Sequence, residues 1–218
     1  MVSGPLTLIC PADLLGFGKM TASFDQLSPP QRLAIVYAPA KVRDAFALLL
    51  QFDERLSDIV SRITEPMIGQ LKLAWWRDAL NAAPGQRPKG EPLLSALSEM
   101  DRPELTAAAH GLVDAWEMLL MEEQWSDALL DSFASARGEA VFGGYVRLLA
   151  KDILVGAMAQ EWAKRDLATR YPKAMPATLL LHTETLPSQR PLRPLTLLVM
   201  LSRGVSGPRL IWHGLTGR

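Results

Sequence analysis

Apolar residues recur at intervals of three and four along most of the chain, while alternating runs bounded by turn pairs are scarce. The pattern predicts helix after helix. Ser28 followed by Pro29 and Pro30 reads as a helix start that ends near Pro39. A long amphipathic helix is expected from about 40 to 62, because Val42, Phe46, Leu49, Leu50, Phe52, Leu56, Ile59 and Val60 keep helical spacing. Glu65 and Pro66 restart the chain into a helix that runs through Leu80. Pro84, Gly85, Pro88 and Gly90 then make residues 81–92 the clearest loop.

Further helices are expected over about 92–100, 103–121, 126–150, 153–171, 176–185 and 193–204. Residues 1–27 read as an irregular lead-in, 28–204 as one helical domain, and 205–218 as an irregular tail, since 204–218 holds five Gly or Pro residues. Short connections make neighbouring helices antiparallel, so the fold class is an all-α bundle of roughly eight helices.

Length and charge narrow the functional classes. With 218 residues, 49% of them hydrophobic, the chain can bury a sizeable single core. Lys and Arg (23) balance Asp and Glu (23), so no global field draws it to nucleic acid. No apolar run reaches the ~18 residues needed to cross a bilayer, which leaves peripheral membrane contact as the membrane option. The opening Met1–Cys10 lacks the basic start of a secretion signal, and a lone Cys10 forms no internal disulfide, so cytoplasmic residence is expected. His110, His182 and His213 lie far apart and give no metal-ligand spacing.

One stretch carries a specific resemblance. Pro39, Arg43 and Phe52, then Glu65-Pro66-Met67-Ile68-Gly69-Gln70 and Trp75-Trp76-Arg77-Asp78-Ala79-Leu80, resemble the N-terminal third of squalene/phytoene synthases. Weaker echoes follow at 110–115, 136–140 and 160–166. The resemblance implies an isoprenoid-synthase-like antiparallel bundle around an apolar cavity, here shortened at its C-terminal end. It also implies head-to-head prenyl condensation, in which magnesium ions held by two DxxxD motifs neutralise the departing diphosphate.

Those motifs are degenerate in this chain. The first aligns with Ser57-Asp58-Ile59-Val60-Ser61, so serines replace the facing aspartates and Asp58 points about 100° away. The second aligns with Asp166 to Arg170, where a cation stands in place of a carboxylate. Leu50 replaces a tyrosine common in the family. No catalytic residue, bound metal or cofactor is therefore expected. The reading is a protein that binds a partner protein or an isoprenoid or lipid ligand. It is similar to a metal-poor branch of the family that includes a mitochondrial factor for respiratory complex I assembly.

The alternative is a working magnesium-dependent prenyltransferase with shifted ligands Glu54, Asp58 and Asp166. Candidate phosphate or ligand contacts are Arg43, Gln70, Trp75, Trp76 and Arg77, with Arg170 a further phosphate contact on the transferase reading. A third possibility is a filled bundle with Phe46, Trp75 and Phe142 at its centre. Glu54 and Asp58 are i, i+4 neighbours with Arg55 and Arg62 nearby, which reads as a solvated salt-bridged face. Asp127 and Asp131 form a literal DxxxD, with Glu123 one step earlier, but Ser126 makes this a capped helix start rather than a metal site. Gly143-Gly144 predicts a close helix contact or a kink.

Overall fold

The computed structural model describes residues 27–122, 124–176 and 183–216. Those residues are helical, with short connections: α1 (Pro29–Tyr37), α2 (Ala40–Ser61), α3 (Pro66–Asn81), α4 (Pro92–Met100), α5 (Pro103–Met118), α6 (Asp127–Gly138), α7 (Gly144–Leu148), α8 (Gly156–Arg170), α9 (Arg193–Ser202) and α10 (Pro208–Thr216). Proline opens α1, α3, α4 and α5 within the first turn, where its missing N–H costs no helical bond. At the first start, the Ser28 amide and hydroxyl both meet Gln31 Oε1, at 2.8 and 2.9 Å. At the next elbow, Arg43 donates to the Ala38 and Val36 carbonyls and so caps the end of α1.

The core sits where α5 and α6 pack on α2, α3 and α8, with α9 bridging α1 and α8. Along the expected helix 126–150, a π-helical turn at Glu139–Gly143 joins α6 to α7. A Cβ on Gly144 would come within 2.9 Å of Ala108 Cβ, so the close contact expected of the glycine pair is present. Gly138 does the same for α6 and α8: a Cβ there would lie 2.9 Å from the Ala159 carbonyl carbon.

Several expectations need correction. The tail is not irregular throughout, because Pro208–Thr216 forms α10, which seats buried His213 against Thr196 at 2.7 Å. The helix-breaking signals belong to the turn before it, where Gly204 and Gly207 have φ of +79° and +70°. The helix expected over 176–185 falls largely on 177–182, outside the described residues, and 183–189 is not helical. The lead-in over 1–26 also lies outside them.

Phe46, Phe52, Trp116, Phe133, Phe142 and Tyr145 are all fully buried in the bundle interior, with Phe142 stacked on Trp162 at 5.0 Å between ring centroids. Leu50 is also fully buried. Trp75 does not join them; its neighbour Trp76 does, edge-on to Phe52 at 5.5 Å.

Because Gly138 faces backbone rather than a flexible side chain, Gly138→Ala is expected to destabilise the fold by about 1–3 kcal/mol despite alanine's better helix propensity. Gly85→Ala, with open space around it, is expected to be neutral. Thermal denaturation of the two variants checks both.

Candidate functional site

The two segments expected to align with the family's metal motifs lie together. The C-terminal half of α2 carries Asp53, Glu54, Ser57, Asp58 and Ser61, and side chains at the end of α8, which holds Asp166 and Arg170, reach across to it. A third element that sequence reasoning left out, the end of α6, inserts Arg137 between them.

Arg137 is the centre. Its side chain and that of Asp53 are both fully buried. Nε and Nη2 donate to the two Asp53 oxygens at 2.9 and 2.7 Å, and Nη2 also reaches Asp166 Oδ2 at 2.5 Å. The Trp116 indole N–H donates to Asp53 Oδ1 at 2.9 Å. The Trp162 ring covers the guanidinium at 4.5 Å and the Trp116 ring lies 5.1 Å away, which supplies cation–π attraction where water is excluded.

From Asp166 the chain of charges continues outward. Arg170 Nε donates to Asp166 Oδ2 at 2.7 Å, Nη1 to Glu54 Oε2 at 2.7 Å, and Nη2 to Glu54 Oε1. Gln31 reaches the same Glu54 from α1 at 2.5 Å. Three carboxylates and two guanidiniums thus alternate as Asp53, Arg137, Asp166, Arg170, Glu54, with neutral donors at both ends. Burial alone would push the Asp166 carboxyl up, but the adjacent Arg137 and Arg170 charges and hydrogen bonds hold it below the ordinary carboxylate range. Burial likewise opposes charge on both arginines, and their carboxylate partners outweigh it.

The remaining motif positions are polar but neutral. Ser57 is buried; its backbone carbonyl accepts from the Tyr171 hydroxyl at 3.0 Å, and its hydroxyl lies 3.4 Å from Arg170 Nη1. Ser61 bonds the Asp58 carbonyl on its own helix. Asp58 points outward and pairs with Arg62 at 3.2 Å, as expected of a solvated face. Glu54 departs from that expectation: it turns inward to Arg170, while Arg55 pairs with Glu91 instead. Glu54 and Asp58 therefore share no cation. Among the described residues no three His, Cys, Asp or Glu side chains come together as a metal-ligand set.

The candidate ligand contacts scatter. Arg43 serves the α1–α2 elbow and Trp76 the core. Arg77 is held by Glu117 at 2.5 Å and Asp114 at 2.9 Å, hydrogen bonds that raise its affinity for its proton. Gln70 rims a concavity of about 870 Å³ at the bundle end, shared with Ser61, Met121, Trp125, Tyr171 and Met175. Trp75 lies on a different groove, of about 580 Å³, with Asp58, Arg62 and Lys72. At Asp127, Ser126 Oγ accepts from the Leu129 amide at 3.2 Å, and Asp131 pairs with Lys164, so the literal DxxxD is a capped helix start. Glu123 and His182 lie outside the described residues.

Two signals pointed to the missed residues. Asp53 falls within the apolar stripe of its own helix, among Phe46, Leu49, Leu50, Leu56 and Val60, and a carboxylate there requires a buried cation. Arg137 stands in the short 136–140 echo, ahead of an apolar run.

Removing one member of a buried pair leaves an uncompensated charge. Arg137→Met is therefore expected to cost about 3–5 kcal/mol, with much of the loss recovered in Asp53→Leu/Arg137→Met, as read by urea denaturation. The pH dependence follows from Asp166. Because its folded value lies below the unfolded one, its stabilisation is full above about pH 4 and is lost as pH falls through the folded value. Melting temperature is expected to fall most steeply below about pH 4, with that limb shallower in Asp166→Asn.

A family model of squalene/phytoene synthase matches residues 28–137, just over half of the chain. No curated protein and no solved structure matches it. The match spans α1 through α6 and ends on Arg137, so it covers Ser57 to Ser61 but not Asp166 to Arg170. The helical architecture and this match agree: the chain belongs to the squalene/phytoene synthase family.

Proposed function

We propose that this protein has kept the family's helical scaffold, has given up metal-dependent prenyl condensation, and acts by binding a protein partner or an isoprenoid or lipid chain. The observation that carries the reading is the Arg170 guanidinium, which stands at a motif position and occupies Asp166 and Glu54 together. A magnesium ion needs free anionic oxygens in a near-octahedral set. Here two serines are neutral, Asp58 faces out to Arg62, and Asp166 is shared by two arginines. That donor set does not fit the ion.

Binding needs less. The concavity beside Gln70, Met121, Trp125 and Tyr171 mixes apolar side chains with Ser61, Thr64, Glu122 and Lys173, which leaves room for an amphipathic chain without any metal. The resemblance to the metal-poor branch supports an assembly-type role for a respiratory complex. No helix among the described residues is long and apolar enough to cross a membrane. Cytoplasmic residence, with contact at a membrane surface where needed, goes with this reading.

The test is thermal shift with farnesyl diphosphate, with and without magnesium, alongside an assay for condensation products. Magnesium is expected to add nothing to any shift, and no product is expected. A shift that depends on magnesium, or a condensed product, overturns the reading. A shift of equal size without metal identifies the prenyl chain as ligand, and none at all directs the search to a protein partner.

A further inference from the structure

The outer face of α3 is unlike the rest of the surface. Four of the eight large apolar side chains that are exposed among the described residues stand on it: Met67, Ile68, Leu71 and Trp75. Met67, Leu71 and Trp75 follow one another at i, i+4 and i+8, so they form a single ridge. Leu71, in its middle, is 66% exposed. The opposite face of the helix is fixed by packing, with Leu73, Trp76 and Leu80 buried and Gly69 tight against Ile63 and Leu120. The ridge therefore cannot be explained as a core face seen from the side.

Leu71 and Trp75 of the ridge also line a groove of about 580 Å³ between α2 and α3, together with Ile59, Ile68, Arg62 and Lys72. A ridge beside a groove on one face is what a two-fold axis requires, since each copy can place its ridge in the other's groove. Charge agrees with shape. Glu65 and Asp78 are exposed at the two ends of the ridge, Lys72 is exposed on the groove side, and none of the three makes an ion pair with any described residue. This mixture of signs suits a copy of the same surface better than a uniformly anionic membrane.

We infer that the α3 face is the contact between two copies of this chain. An antiparallel crossing centred between Leu71 and Trp75 sets Leu71 on the partner's Trp75 and brings Lys72 to about one turn from the partner's Asp78. One helix ridge is small for an interface, so the dimer is weak, with a dissociation constant on the order of micromolar.

Sedimentation velocity of the full chain over roughly 1–100 µM reads this directly. The wild type is expected to move from monomer to dimer, and Leu71→Glu to stay monomeric with an unchanged melting temperature. Lys72→Glu is expected to weaken the dimer about tenfold and Lys72→Glu/Asp78→Lys to restore it. Leu154→Glu, at a fully exposed leucine in the α7–α8 connection, is expected to dimerise like the wild type. A wild type that stays monomeric throughout overturns the inference, including one that instead sediments with phosphatidylserine-containing vesicles. So does a dimer that survives Leu71→Glu, which would lie on another surface.

Discussion

A fully buried arginine holds this bundle together. Arg137 comes from α6, its bidentate partner Asp53 from α2, the indole that supports Asp53 from α5, and its second carboxylate, Asp166, from α8. Four helices thus converge on one guanidinium in a place with no water to screen it. Desolvating such a charge is costly, and only partners fixed in direction as well as distance offset that cost. The planar fork supplies the direction: two of its nitrogens bind one carboxylate edge-on while the Trp162 ring lies against its face. Packing of the surrounding aromatics is constrained in turn, because Trp116 both donates to Asp53 and stacks edge-on with Phe133.

The same cluster bears on chemistry by changing the sign of the site. A bundle that ionises a diphosphate needs surplus negative charge at its mouth so that divalent ions are drawn in and held. Here the negative charge is matched almost fully from within, three carboxylates against two guanidiniums, and the outermost carboxylate is closed off by Gln31 as well as by Arg170. Serine at positions 57 and 61 supplies no charge that would attract a cation. Arginine at position 170 goes further, because it supplies a permanent cation that no change of pH in the physiological range removes. Side chains cross-link α2 and α8 directly, through Arg170 to Glu54 and Ser57.

Much of this was legible in the sequence, for reasons that differ by residue. The helices from 29 to 118 follow from proline starts and unbroken apolar spacing, both local signals. The direction of Glu54 was not legible, because Arg55 is adjacent in sequence while Arg170 is distant, and only the fold decides between them. Trp75 and Trp76 pose the same difficulty: adjacency shows that one faces inward, and the burial of Leu73 and Leu80 shows which. Residues 208–216 were misread because glycines that shape the preceding turn were counted against the helix that follows it.

Aromatic rings and internal ion pairs make up much of the interior, with Phe46, Trp116, Phe142 and Trp162 buried in it. The apolar surface that remains exposed is concentrated on α3, and Gln70 on that helix also borders the concavity at the bundle end. The segment that carries the family's most specific sequence block therefore presents one face to the core and another to solvent. Burial of Leu73, Trp76 and Leu80 accounts for the inner face. Trp75 packs edge-on against Trp76 at 5.2 Å, but folding alone gives no account of Met67 and Leu71, since exposed apolar side chains in a row raise the risk of aggregation. The ridge's coherence along one helical row argues for a surface that is covered when the protein works.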